Sequence, residues 1–103
     1  MELLHIDEID FEKKTLTAIF DGFFQGGFYV ETSFDYDELQ VEEEDDRTGA
    51  IDYFAATNVS FWNFETSDIY EEKFSLNDKA VVNVKQQIEN KLIDLLEIEL
   101  NDN

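Results

Sequence analysis

The residues of this chain that could do chemistry are overwhelmingly carboxylates: 26 of its 103 positions are Asp or Glu, against seven Lys or Arg. Nucleophilic catalysis needs a base beside a hydroxyl or thiol. Here His5 is the single imidazole, cysteine is absent, and Ser33, Ser60, Ser67 and Ser75 all lie outside any Gly-x-Ser-x-Gly elbow. His5 falls in a short lead-in strand and reads as a structural histidine. Glycoside hydrolysis needs two carboxyl groups in contrasting environments. In a chain this acidic some pair always stands at a workable separation, so pairing identifies nothing. Gly22, Gly26 and Gly27 lack the Lys-Ser/Thr that completes a phosphate-binding loop, and hairpin geometry accounts for them.

Metals fare little better. Thiolate zinc sites and sites needing two imidazoles are excluded by composition. Glu42, Glu43, Glu44, Asp45 and Asp46 stand in succession, followed by Arg47, Thr48 and Gly49. Calcium loops instead alternate their ligands around a glycine turn, and consecutive side chains cannot all converge on one ion. What this leaves is weak divalent-cation binding by residues 42–46, without fixed geometry. The residues thus point away from an enzyme and require no cofactor.

The acids remain as a surface. The formal charge is −19 with His5 neutral. Its distribution is uneven, because no Lys or Arg occurs between Lys14 and Arg47, or between Arg47 and Lys73. Glu31, Asp35, Asp37, Glu38, Glu42, Glu43, Glu44, Asp45 and Asp46 form the densest stretch, and they are the candidate partner-binding residues. Direct nucleic-acid binding is excluded, since it depends on Lys and Arg neutralising phosphates. A basic partner protein fits, because opposite charge steers encounter. In its sharpest form this is imitation of nucleic acid toward a nucleic-acid-binding protein, as an inhibitor of phage or mobile-element type would act. The competing reading is a small accessory domain whose charge only solubilises it.

The elements that must position these acids follow from periodicity. Hydrophobic residues make up 43% of the chain and aromatics 15%, so it can bury enough apolar surface to fold. Glu8–Phe11 and Leu16–Phe20 read as a hairpin across Glu12–Thr15, with a bulge or bend near Asp7 or a separate short lead-in strand before it. Gln25-Gly26-Gly27 supplies the next tight turn. Phe28, Val30, Thr32, Phe34 and Tyr36 then alternate with Tyr29, Glu31, Ser33, Asp35 and Asp37, giving one core face and one wet face. Residues 38–50 read as a charged connection, 51–64 as a strand bent near Thr57-Asn58, and 69–74 as a last edge strand. The aromatics of that long strand, Tyr53, Phe54, Phe61, Trp62 and Phe64, together with Tyr29, cannot all share one side, which leaves some aromatic surface exposed.

From Asn77 the period changes to that of a helix. Asn77 or Ser75 can cap it, and Val81, Val84, Ile88, Leu92 and Leu95 form its apolar stripe. Ile93, Leu96 and Leu100 widen that stripe beyond what covering one sheet face needs, so they either tuck under a sheet edge or form a homodimer contact. The expected fold is therefore α+β. A meandering antiparallel sheet of about four or five strands spans residues 3–74, and one C-terminal amphipathic helix at 77–100 packs on one face, all in a single domain 1–103. The N-terminus lacks a signal-peptide pattern and no apolar run approaches a membrane span, so the expected location is cytoplasmic, without membrane association.

Overall fold

The computed structural model describes residues 1–45 and 49–102. Five strands precede one helix: β1 Glu2–Asp10, β2 Thr15–Gly22, β3 Phe24–Asp45, β4 Gly49–Asp68, β5 Lys73–Phe74 and α1 Asp78–Asn101. The strands form one sheet in chain order, each antiparallel to the next. This is the α+β meander with a C-terminal helix that the periodicities imply. Among the described residues no helix is long and apolar enough to cross a membrane.

Alternation decides which face of the sheet the helix covers. Leu16, Ala18 and Phe20 of β2 and Phe28, Val30 and Phe34 of β3 point to one side. They bury there against Val84, Ile88, Leu92 and Leu96 of α1. The middle of the helix stripe, Val84, Ile88 and Leu92, is buried as expected, but the stripe keeps a four-residue spacing to both ends: Ala80 and Leu96 are buried, whereas Val81 and Leu95 are only half-buried. The helix starts where expected, with the Asn77 side chain accepting a hydrogen bond from the Ala80 amide at 2.8 Å and Asp78 placed against the positive end of the helix dipole.

Two helical amides reach the two sides of the sheet. Gln87 accepts from the Leu3 amide through Oε1 at 2.8 Å and donates from Nε2 to the Met1 carbonyl at 3.2 Å. Asn101 does the same to β4, accepting from the Phe54 amide and donating to the Phe54 carbonyl, both at 2.8 Å. Each side chain thereby occupies backbone groups that a neighbouring strand would otherwise pair with.

The long strands are bent. At about 3.3 Å per residue a straight 22-residue β3 would extend roughly 70 Å, yet the longest dimension of the molecule is 53 Å. Bulges in β4 supply the curvature. Its register to β3 slips between the pairs Asp35↔Ser60 and Asp37↔Thr57, and again between Glu31↔Glu65 and Ser33↔Trp62. Asn58 and Asn63 sit in those slips with φ of 53° and 52°, and asparagine is among the few residues that tolerate this region. The bend expected at Thr57-Asn58 is present and a second accompanies it. In β1 the register shifts bracket Leu4 and Asp7, so the irregularity near Asp7 is a bulge.

Three expectations are corrected. Residues 38–45 are strand and not connection: Glu38 to Asp45 pair with Ala56 back to Gly49. The chain between β2 and β3 reverses at Phe23, where Gly22 pairs with Phe24. Gly26 and Gly27 instead lie inside β3, in a bulge where Gln25, Gly26 and Gly27 stand against the single residue Asp21. The reason is visible at Gly27, where a Cβ would stand 2.2 Å from the Phe20 carbonyl oxygen. Finally, only Lys73 and Phe74 of the 69–74 segment are strand. Ile69–Glu72 is a turn held by Asp68, whose Oδ1 accepts from the Tyr70 and Glu72 amides at 2.8 and 3.0 Å.

Candidate interaction surface

The sheet face away from α1 is wet, and the pairings align its residues in rungs across the strands. One rung runs Glu8, Thr17, Glu31, Glu65 from β1 to β4. The next runs Asp10, Thr15, Ser33, Trp62, and a third runs His5, Ile19, Tyr29, Ser67, Lys73. Directly opposite residues share a face in an antiparallel pair. The first two rungs therefore set carboxylates among hydroxyls, with an exposed tryptophan at one end. Over them lies an open trough of about 1000 Å³, lined among others by Glu8, Asp10, Lys13, Thr17, Glu31 and Glu65. The bulge at Asp7 sets its β1 wall, and the bulge at Asn63 sets its β4 wall, so backbone irregularities shape it.

Few of these charges are neutralised. Among the described residues, two lysines form ion pairs with carboxylates, Lys14 with Asp35 at 2.8 Å and Lys73 with Glu65 at 3.1 Å. Hydrogen bonding to Lys14, reinforced by the Tyr36 amide, holds the Asp35 carboxyl below its ordinary value. The same bond to Asp35 raises Lys14. Glu31 and Glu65 stand directly opposite each other, an arrangement that costs stability in a sheet.

The acids singled out in the sequence do not form one ridge. Glu31, Asp35 and Asp37 share the outer face, but Asp35 is engaged by Lys14, and Asp37 accepts a hydrogen bond from Asn58 Nδ2 at 3.0 Å. Glu38 and Glu42 have the opposite parity in a strand, so they project to the other side. The side chains of Glu43, Glu44 and Asp45, and all of Asp46, lie outside the described residues, and with them most of the suggested 42–46 cation site. Among the described residues no three His, Asp or Glu side chains converge to hold a metal ion. Sequence reasoning missed Glu8, Asp10 and Glu65. Their membership depends on register across four strands, which no local pattern records.

Other candidates separate cleanly. His5 is exposed on β1 with the Asp7 carboxylate at 3.7 Å. Of the residues suggested for self-association, Leu96 is wholly buried in the core, so it is not available to a second copy. Ile93 and Leu100 are half-buried beside it, and Ile98 is the exposed apolar residue of those turns. Of the aromatics, Phe61 and Phe64 pack against the core, while Trp62 and Phe54 are exposed. No protein-family model matches this chain, and neither a curated protein nor a solved structure shows significant similarity to it.

Proposed function

We propose that this chain is a non-enzymatic interaction protein that presents the outer face of its sheet to a basic surface of a partner protein. The observation that carries this reading is the rung Glu8, Thr17, Glu31, Glu65, with its opposed glutamates kept in a trough at a cost to the fold. Carboxylates among hydroxyls suit lysine and arginine side chains, which donate hydrogen bonds and accept none. The sharper version holds when the partner's basic surface is its own nucleic-acid site, so that this protein competes with DNA or RNA for it.

The test uses an oligo-arginine peptide as probe. The variant E8Q/E31Q/E65Q should bind it much more weakly than wild type, and a helix variant removing the same charge, D94N/E97Q/E99Q, should lose far less. Equal losses would mean that only diffuse charge matters, which is the solubilising reading. Competition between this protein and a duplex for a nucleic-acid-binding partner then separates imitation from other basic contacts.

A further inference from the structure

At one end of the molecule the β2–β3 reversal and the β4–β5 turn leave four apolar side chains in the open. Phe23 is 65% exposed and Tyr70 80% exposed, and Phe24 and Ile69 are each about two-fifths exposed. Phe24, Ile69 and Tyr70 line a shallow cleft of about 340 Å³. The Ile69 side chain lies against Gly26, whose lack of a Cβ lets the two turns approach.

Fold stability does not account for Phe23 and Tyr70, whereas Phe24 packs edge-on against Phe74 at 4.9 Å between centroids. Phe23 holds φ of 58°, a region where a bulky side chain is strained and Gly or Asn is not. Its ring gains little in return, making one edge contact with Phe28 at 5.9 Å between centroids. A large aromatic kept in a strained, exposed position points to a role outside the fold. Aromatic side chains of this kind are the anchors of protein interfaces.

We infer that this apolar end is a docking surface for a protein whose contact region is an apolar patch or helix face edged with Lys or Arg. Charge complementarity fixes that choice of occupant. The rim is acidic, with Asp21 directly opposite Glu2 on one side and exposed Glu71 and Glu72 on the other. In a twofold contact with a second copy each rim would face its own image, acid against acid. Basic edges on the partner meet the rim, and an apolar centre meets Phe23 and Tyr70. This surface is separate from the trough and stands whether or not the trough binds.

The probe is a synthetic amphipathic peptide of Leu and Lys that presents one Leu face as a helix, with a control in which every Leu is Ser. Wild type should bind the Leu peptide at least ~10-fold more tightly than the Ser control at 0.15 M salt, and F23G/Y70S should reduce that advantage to under ~2-fold. Both sites are exposed and glycine relieves the strain at 23, so the thermal midpoint of the variant should stay close to wild type. Unchanged preference for the Leu peptide in F23G/Y70S would overturn the inference. A wild-type dimer at working concentration that F23G/Y70S makes monomeric would overturn it in favour of a second copy. The trough variant E8Q/E31Q/E65Q weakens both peptides together, whereas the end variant weakens the Leu peptide alone, so the two readings fail separately.

Discussion

Replacing Glu31 by Gln should make the protein more stable while weakening its contact with a basic probe. Glu31 and Glu65 are directly opposite on β3 and β4, which places their Cβ atoms about 5 Å apart. Their carboxylates lie beyond the Cβ atoms, and two like charges ~5–7 Å apart in water repel by about 0.6–0.8 kcal/mol. Lys73 at 3.1 Å from Glu65 offsets part of this, so the net relief on neutralising Glu31 is about 0.5 kcal/mol. For a domain of this size that raises the melting midpoint by roughly 2–4 °C. The measurement is thermal unfolding followed by circular dichroism at 0.05 M and 0.5 M salt. At the higher salt the Debye length falls to about 4 Å, so the gain should shrink to about 1 °C or less. E65Q is the control: it removes the same repulsion but also the Lys73 partner, and its midpoint should hardly move. An E31Q protein less stable than wild type, or a gain that ignores salt, would refute the claim that the rung is held against electrostatic strain.

Three further outcomes follow from particular contacts. Ile88 has no exposed surface among the helix and sheet core residues. Ile88→Asp should therefore unfold the domain, an unpaired buried carboxylate costing ~3 kcal/mol or more, and a cooperative melt near wild type would contradict the packing. Gly27→Ala should destabilise strongly, because its Cβ would meet the Phe20 carbonyl oxygen and its φ is 81°, whereas Gly26→Ala meets only the movable Ile69 side chain and should cost less; reversal of that order in chemical denaturation would be decisive. The Asp35 carboxyl is held below its ordinary value by Lys14, so this pair contributes stability above the ordinary Asp value that is lost as pH falls through the depressed one. Acid titration of K14M against wild type should show a smaller loss in the variant, which keeps only the part held by the Tyr36 amide.

How much of this was legible in the sequence depends on how much burial disciplined the pattern. Phe28 to Tyr36 alternate strictly because one face of β3 meets the helix, and that strand and the helix read directly from the residues. Leu39 and Val41 alternate too, but five acids in succession obscured them. In that stretch β3 pairs with β4 beyond the reach of β2, so there is less core to enforce contrast between faces. The turn at Phe23 was illegible for a different reason. Turn propensity points to Gly26-Gly27, yet the close approach of the Phe20 carbonyl at Gly27 and of the Ile69 side chain at Gly26 claims those glycines for a bulge. Asn63 carried a readable signal, an asparagine in an aromatic run, and it marks the second bulge. The outer rungs carried none, because Glu8, Glu31 and Glu65 are brought together by pairing alone.

The clasps made by Gln87 and Asn101 give the helix a second office besides covering the core. Each ties off one amide and one carbonyl at a margin of the sheet, Gln87 those of Leu3 and Met1 and Asn101 those of Phe54. Any event that lifts the helix, whether thermal fraying, proteolysis of its last turns or a partner that competes for its apolar stripe, therefore bares apolar surface and frees these backbone groups at both margins at the same moment. Lifting the helix should therefore favour edge-to-edge association, because unpaired strand margins template pairing with another chain. Asn101→Ala and Gln87→Ala, nearly silent in equilibrium stability, should show their effect as faster aggregation on mild heating.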